Sequence, residues 1–294
     1  MERIPLVFIL GSPRTGSTLV YQLIVNFLGF YYFSNFVVDH FAETPIVGVA
    51  LEQSLNPREP VSYESAYGKT NGPWEPSEAS AVFKKWFGGG HPSQVVSAAV
   101  LPEMESHLFL TMKSIYALTG RPMVVKNAWN CFRIADISRI FPNAHFVWIR
   151  RDIAHSALSD LAARYRRGGP EVWNSATPAN YLEIQKLPYW EQVVEQQYEY
   201  NITLQQDLQT HAEGRFYETW YEDICGDLKT HLNLLAVFLG AVGKISLAEL
   251  PLPFLSDSPL TAANDLPGDW RKIQEYIENR ADRFSTFVYT NKVY

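Results

Sequence analysis

Leu6-Val7-Phe8-Ile9-Leu10-Gly11-Ser12-Pro13-Arg14-Thr15-Gly16-Ser17-Thr18, followed by Leu19-Val20-Tyr21-Gln22-Leu23-Ile24-Val25-Asn26-Phe27-Leu28, reads as a buried strand, a glycine-bounded loop and a helix. The five apolar residues before Gly11 form an unbroken run of strand length, which suits a central parallel strand covered on both faces. Beyond the loop, Leu19, Leu23 and Phe27, with Val20 and Ile24 beside them, recur at helical spacing. A strand feeding a helix through such a loop makes an anion site. The N–H groups of the first helical turn have no partner within the helix, and the positive end of the helix dipole points the same way.

Set against G-x-x-x-x-G-K-[ST], the loop has Gly11, Gly16 and Thr18 in register, but Ser17 stands where the lysine belongs. That lysine reaches the β and γ phosphates of a triphosphate. The nearest cation here is Arg14, inside the loop, so the pattern points to an anion other than a Mg-triphosphate. The plain alternative is an ordinary βα turn carrying a chance arginine.

At 294 residues and 47% hydrophobic, the chain can bury the core of one generous domain, taken here as residues 1–294. A formal charge of −6 without a dense Lys/Arg block argues against nucleic acid or an anionic membrane as the main partner, so any anion site must be a local pocket. Cys131 and Cys225 lie far apart with no C-x-x-C spacing, which implies neither a disulfide framework nor a zinc site and makes a reducing compartment the default. The start of the chain lacks the features of a signal peptide, and no uncharged apolar run is long enough to span a bilayer. A cytoplasmic protein without a transmembrane segment is expected, its oligomeric state open.

Further along, aromatic and β-branched residues near Tyr31 suggest a second strand, and residues 55 to 75 have loop chemistry with a turn at Asn71-Gly72-Pro73. Pro76-Ser77-Glu78 opens a helical pattern through Trp86 that Gly88-Gly89-Gly90 stops. Helices are expected at 102–119, 127–140, 189–208, 228–239 and 270–279, and strands at Met123–Lys126, Ala144–Ile149 and Arg215–Tyr221. Apolar strands alternating with helices indicate an α/β domain with a central parallel sheet flanked by helices. Charges at the ends of two strands, Lys126 and Arg150-Arg151, fall on the edge where such sheets bind ligands. Arg151, just past a strand, and Ser159, two turns into the next helix, can face one anion together.

These residues together carry a resemblance. Gly11 to Thr18, Lys126 at a strand end, Phe141-Pro142-Asn143-Ala144 and Ile149-Arg150-Arg151-Asp152-Ile153-Ala154-His155-Ser156-Ala157-Leu158-Ser159 resemble the sulfotransferases that use 3′-phosphoadenosine 5′-phosphosulfate (PAPS). The likeness covers roughly residues 5 to 165, and Tyr221-Glu222 is similar to a weaker motif of the family. The arginine in the loop is more like the bacterial and Golgi-type members than the lysine-bearing cytosolic ones. The resemblance implies a P-loop NTPase-like sulfotransferase fold and a reaction that leaves 3′,5′-ADP. By it, Pro13, Arg14, Thr15, Gly16, Ser17 and Thr18 bind the 5′-phosphosulfate, Arg151 and Ser159 bind the 3′-phosphate, and Arg14 and Lys126 stabilise the reacting group. Ile153 replaces the usual proline after Arg-Asp. Pro267-Gly268-Asp269-Trp270-Arg271 echoes a cytosolic motif, but Ala263-Asn264-Asp265 precedes it instead of Arg-Lys-Gly, so those residues are not counted as 3′-phosphate ligands.

In-line sulfuryl transfer builds negative charge on the oxygen that bridges sulfur to the nucleotide phosphate, which preorganised cations and N–H groups stabilise without requiring a divalent metal. The acceptor hydroxyl needs a general base. The Golgi-type glutamate has no counterpart at Ser34 or Asn35, which leaves His40, Glu43 and Glu75. Glu75 sits in a Pro-x-Glu segment beside Trp74, which could desolvate it; a structural histidine, a surface charge and a first-turn helix acid are the respective plain readings. Tyr31, Tyr32, Phe33, Tyr63, Tyr67, Trp74, Trp86 and Phe87 lie in segments expected on the acceptor side, where they line a pocket or simply fill the core. The acceptor is left open by the sequence: a hydroxylated small metabolite, lipid or carbohydrate. The rival readings are an ATP-using phosphotransferase, disfavoured by the missing lysine, and a catalytically silent nucleotide-binding or scaffold protein.

Overall fold

The computed structural model describes residues 4–55, 60–65, 68–88, 100–241 and 266–290. Sequence expectations for Tyr67, Gly89, Gly90, Pro251, Pro253, Pro259 and Ala263-Asn264-Asp265 lie outside the described residues. Four strands form one parallel sheet: β1 (Leu6–Leu10), β2 (Met123–Lys126), β3 (His145–Arg150) and β4 (Phe216–Trp220), ordered β2-β1-β3-β4. Val7 is in register with Val124 on one side and His145 on the other. The chain goes to one side of β1 for its second strand and to the other for its third. Crevices at the carboxyl ends of strands where the order reverses are the usual ligand sites of open α/β sheets.

Strand alternation divides the core between two layers. Leu6, Phe8, Leu10, Val125, Phe146 and Trp148 face one way, against α5 (Pro102–Thr119), α6 (Ile134–Ile140) and α9 (Tyr189–His211). Val7, Ile9, Val124, Val147 and Ile149 face the other, against α1 (Ser17–Leu28) and α11 (Leu228–Phe238). Both faces being covered explains why these strands read as unbroken apolar runs. Among the described residues no helix is long and apolar enough to cross a membrane.

Three local expectations change. The strand near Tyr31 is a single bridge to Met123, after which Ser34 caps α2 (Asn35–Phe41) by accepting the Val37 N–H. The helix expected at 127–140 is a 3₁₀ turn, Ala128–Phe132, and then α6, with the break at Arg133. The helix expected from Pro76 begins only at Ser80: α4 is Ser80–Phe87, and its left-handed N-cap Ala79 has φ 53°. Glu78 is therefore held in the irregular segment before α4 rather than in a first turn, and its carboxylate is aimed by the loop.

Candidate active site

At the carboxyl end of β1 the chain turns sharply. Arg14 adopts φ 72° and Gly16 φ 81°, both left-handed, and the arginine is held there although such backbone favours glycine. Thr15 Oγ1 donates to the Ser12 carbonyl at 2.9 Å, closing the loop on itself. Cys131 Sγ lies 3.5 Å from both the N–H and the carbonyl oxygen of Gly11, beneath the loop, and burial pushes its thiol up to about 12. It is packing, not a nucleophile.

Residues far apart in sequence converge on this loop. Arg14 Nε donates to Ser159 Oγ at 3.2 Å, on α7 (Ile153–Arg166), and Arg151 Nη1 donates to the Arg14 carbonyl at 2.8 Å. Lys126 Nζ, at the end of β2, donates to Thr18 Oγ1 at 3.1 Å and is ion-paired with Glu78. The groups surround a cleft of about 370 Å³. Pro13, Arg14, Gly16, Ser17, Thr18, Lys126 and Arg151 line it, while Thr15 and Ser159 act from behind, one closing the loop and the other holding Arg14. Ser12 Oγ and Arg151 Nε are buried there with no hydrogen-bond partner among the described residues, two donors without an acceptor. An anion fits that deficit.

Arg151 is braced directly by Tyr221 and indirectly through its neighbour Asp152. Its guanidinium lies 4.7 Å from the centre of the Tyr221 ring, and that ring packs flat enough on the loop that a Cβ on Gly16 would collide with it. Glu222 Oε1 accepts the Asp152 N–H at 3.0 Å. Asp152 in turn caps α7, its Oδ1 accepting the Ala154 and His155 N–H groups, while its Oδ2 accepts the N–H of Tyr289 at 3.0 Å. Burial raises the Glu222 carboxyl above its ordinary range and lifts the Tyr221 phenol to about 12. Sequence reasoning noticed Tyr221-Glu222 only as a weak motif. Its positional content, a ring under a cation and a carboxylate on the next residue, needed the fourth strand in place.

The structure does not bring the base candidates to the cleft. His40 is exposed on α2 with its ring 5.6 Å from Phe36, and Glu43 is an exposed partner of Lys85 at 3.5 Å. Glu75 accepts the Ser62 N–H at 3.0 Å, and burial does raise its carboxyl, as a neighbouring Trp74 suggested, but it does not line the cleft. Glu78 does, beside Lys126. The signal was there: Pro73-Trp74-Glu75 is followed at once by Pro76-Ser77-Glu78, the same pattern three residues on. Nor, among the described residues, do the aromatics expected on the acceptor side line the cleft. Tyr31, Tyr32, Phe33, Trp86 and Phe87 are buried core, Tyr63 packs against it, and Trp74 leans on Phe36 at 5.1 Å.

Residues 5–242 match the model of the Sulfotransferase family. Among solved structures, the sulfotransferase STF9 from Mycobacterium avium is similar in fold, with a TM-score of 0.56 and 13% identity over 97% of this chain and 77% of its own. Sulfotransferase STF1 from Mycobacterium tuberculosis H37Rv gives a TM-score of 0.52 and 13% identity over 96% of this chain and 77% of its own. No curated protein sequence matches the chain.

Proposed function

The chain belongs to the sulfotransferase family, and from that membership we propose that it moves the sulfuryl group of PAPS to a hydroxyl of a small-molecule, lipid or carbohydrate acceptor. The observation that carries this reading is a pair of contacts at the cleft, Arg14 to Ser159 and Arg151 to the Arg14 carbonyl, which would join the two anion subsites that PAPS needs. The loop amides, Ser12, Ser17 and Thr18 would hold the 5′-phosphosulfate, and Arg151 the 3′-phosphate together with Ser159, which also holds Arg14. The donor supplies a sulfuryl group whose departure leaves charge on a phosphate oxygen. Arg14 and Lys126 are the fixed cations that would stabilise that charge with little reorganisation.

Glu78 is the carboxylate that lines the cleft next to Lys126, and in this reading it takes the proton of the acceptor hydroxyl. Lys126 is shared between Glu78 and Thr18, so one ammonium serves both the acid–base residue and the anion loop. His40 and Glu75, the residues favoured from sequence, would have to act from outside the cleft and are set behind Glu78.

Calorimetry tests the reading. The protein should bind 3′,5′-ADP in preference to 5′-AMP and Mg-ATP, and Arg151→Ala should weaken 3′,5′-ADP by roughly ten- to a hundredfold, the range for a lost charge-assisted hydrogen bond. Equal or tighter binding of Mg-ATP would overturn it in favour of a phosphotransferase, and no nucleotide binding would favour a silent scaffold. With the donor site established, Glu78→Gln should leave 3′,5′-ADP affinity within a few-fold while slowing transfer by about a hundredfold or more.

A further inference from the structure

Resting on the sulfotransferase reading, the structure assigns a class to the acceptor: we propose that it carries an anionic group, bound at the mouth of the cleft by Lys69 and Arg167. The chain is acidic overall, at −6, yet the described lining of the cleft holds Arg14, Lys69, Lys126, Arg151 and Arg167 against the single carboxylate Glu78. A local excess of cations on an acidic protein concentrates anions at that point. Arg14, Lys126 and Arg151 are committed to the loop, to Ser159 and to Glu78. The side chains of Lys69 and Arg167 have no hydrogen-bond or ion-pair partner among the described residues, and both are exposed.

Their placement separates them from the donor's 3′-phosphate. Arg167 caps the C-terminus of α7, eight residues past Ser159, and at 1.5 Å per residue its backbone stands about 12 Å further along the helix than the serine expected at the 3′-phosphate. Lys69 follows Gly68, where a Cβ would lie 3.3 Å from Glu78 Oε1 and 3.6 Å from Lys126 Nζ. It therefore emerges beside the carboxylate assigned to the acceptor hydroxyl. The wall carrying Arg167 runs on to Asn174 and Ser175, which also line the cleft, and Ser175 holds φ 77° with its hydroxyl 3.3 Å from Tyr200 Oη.

That wall is rigid because a buried network stands behind it. Arg164, fully buried, donates from Nε to Asp160 at 3.2 Å, from Nη1 to Gln192 at 3.0 Å and from Nη2 to Gln196 at 2.8 Å. Asn174 Nδ2 donates to the other oxygen of Asp160 at 2.7 Å, and the N–H groups of Arg167 and Gly169 return to the Arg164 carbonyl at 3.0 and 3.1 Å. Arg167 thus projects from a fixed turn rather than a slack loop, and a preorganised cation loses less on binding.

The test uses the intact protein saturated with 3′,5′-ADP, into which matched hydroxyl compounds are titrated: 4-ethylphenol against 3-(4-hydroxyphenyl)propionate, and butan-1-ol against 4-hydroxybutanoate. The carboxylate member of at least one pair should bind more tightly, with a preference that shrinks as salt is added. Arg167→Gln and Lys69→Gln should each reduce that preference by about two- to fivefold, the range for a solvent-exposed charge pair, with 3′,5′-ADP affinity retained. Equal binding within both pairs overturns the proposal, as does a parallel loss of 3′,5′-ADP affinity in the two variants, which would return these cations to the donor. Failure of the wild type to bind 3′,5′-ADP at all would instead sink the sulfotransferase reading beneath it.

Discussion

Gly16 joins the anion loop to α1, and two separate constraints act on it. Its φ of 81° is left-handed, and a Cβ built there runs into the Tyr221 ring. For Gly16→Ala, the left-handed backbone costs about 1–2 kcal/mol, and forcing a methyl against a packed ring adds about 1–3 kcal/mol. The sum, about 2–5 kcal/mol, is large beside the total stability of a domain. The two contributions separate in a double-mutant cycle. In a Tyr221→Ala background the collision is gone, and Gly16→Ala should cost only the conformational part, so the two changes should be coupled by about 1–3 kcal/mol. Urea unfolding at constant m-value reads this directly. Additivity within about 0.5 kcal/mol would refute the placement of Tyr221 on the loop. Tyr221→Ala alone should also weaken 3′,5′-ADP several-fold, because the ring beneath Arg151 is removed.

Two further outcomes follow from buried charge. Burial raises the Glu222 carboxyl above its ordinary 4.5, so the unfolded chain releases that proton first, and stability falls as pH rises from 4.5 through the folded value. Glu222→Gln keeps an oxygen for the Asp152 N–H, so it should gain stability relative to wild type across that window; a relative loss on going from pH 4 to pH 7, measured by chemical denaturation, would contradict this. Arg164→Met should destabilise by about 3–5 kcal/mol by leaving Asp160 buried and unpaired, and adding Asp160→Asn should recover part of the loss; no recovery in urea unfolding would show that the ion pair is not the source.

Local chemistry made the loop legible. A strand, two glycines and a hydroxyl-rich helix start are all set within a few residues, and the parallel order of the strands was enough to carry Arg151 and Ser159 toward it. Glu78 was not legible, because two successive Pro-x-Glu segments offer the same signal, and which of them faces the cleft depends on where α4 begins. Ala79 decides that by turning left-handed, a choice that alanine's own propensity opposes. The aromatics failed for a related reason. Tyr31 and Phe33 have the composition of a pocket wall and the burial of a core, and only the packing of α2, α4 and α5 around them separates the two. The break at Arg133 likewise has no glycine or proline to announce it.

Asp152 receives the N–H of Tyr289 from 137 residues downstream, and the same side chain starts the helix that carries Ser159. During synthesis the anion loop, β2 and α7 all leave the ribosome well before Tyr289 does. For that interval Asp152 must leave one oxygen to water, and the turn that aims Arg151 lacks its last support. Shortened products of translation, ending anywhere between Arg166 and Tyr289, would carry the loop and the arginine but not the finished turn. The fold thus links the competence of the anion loop to the arrival of a segment made 137 residues after Asp152.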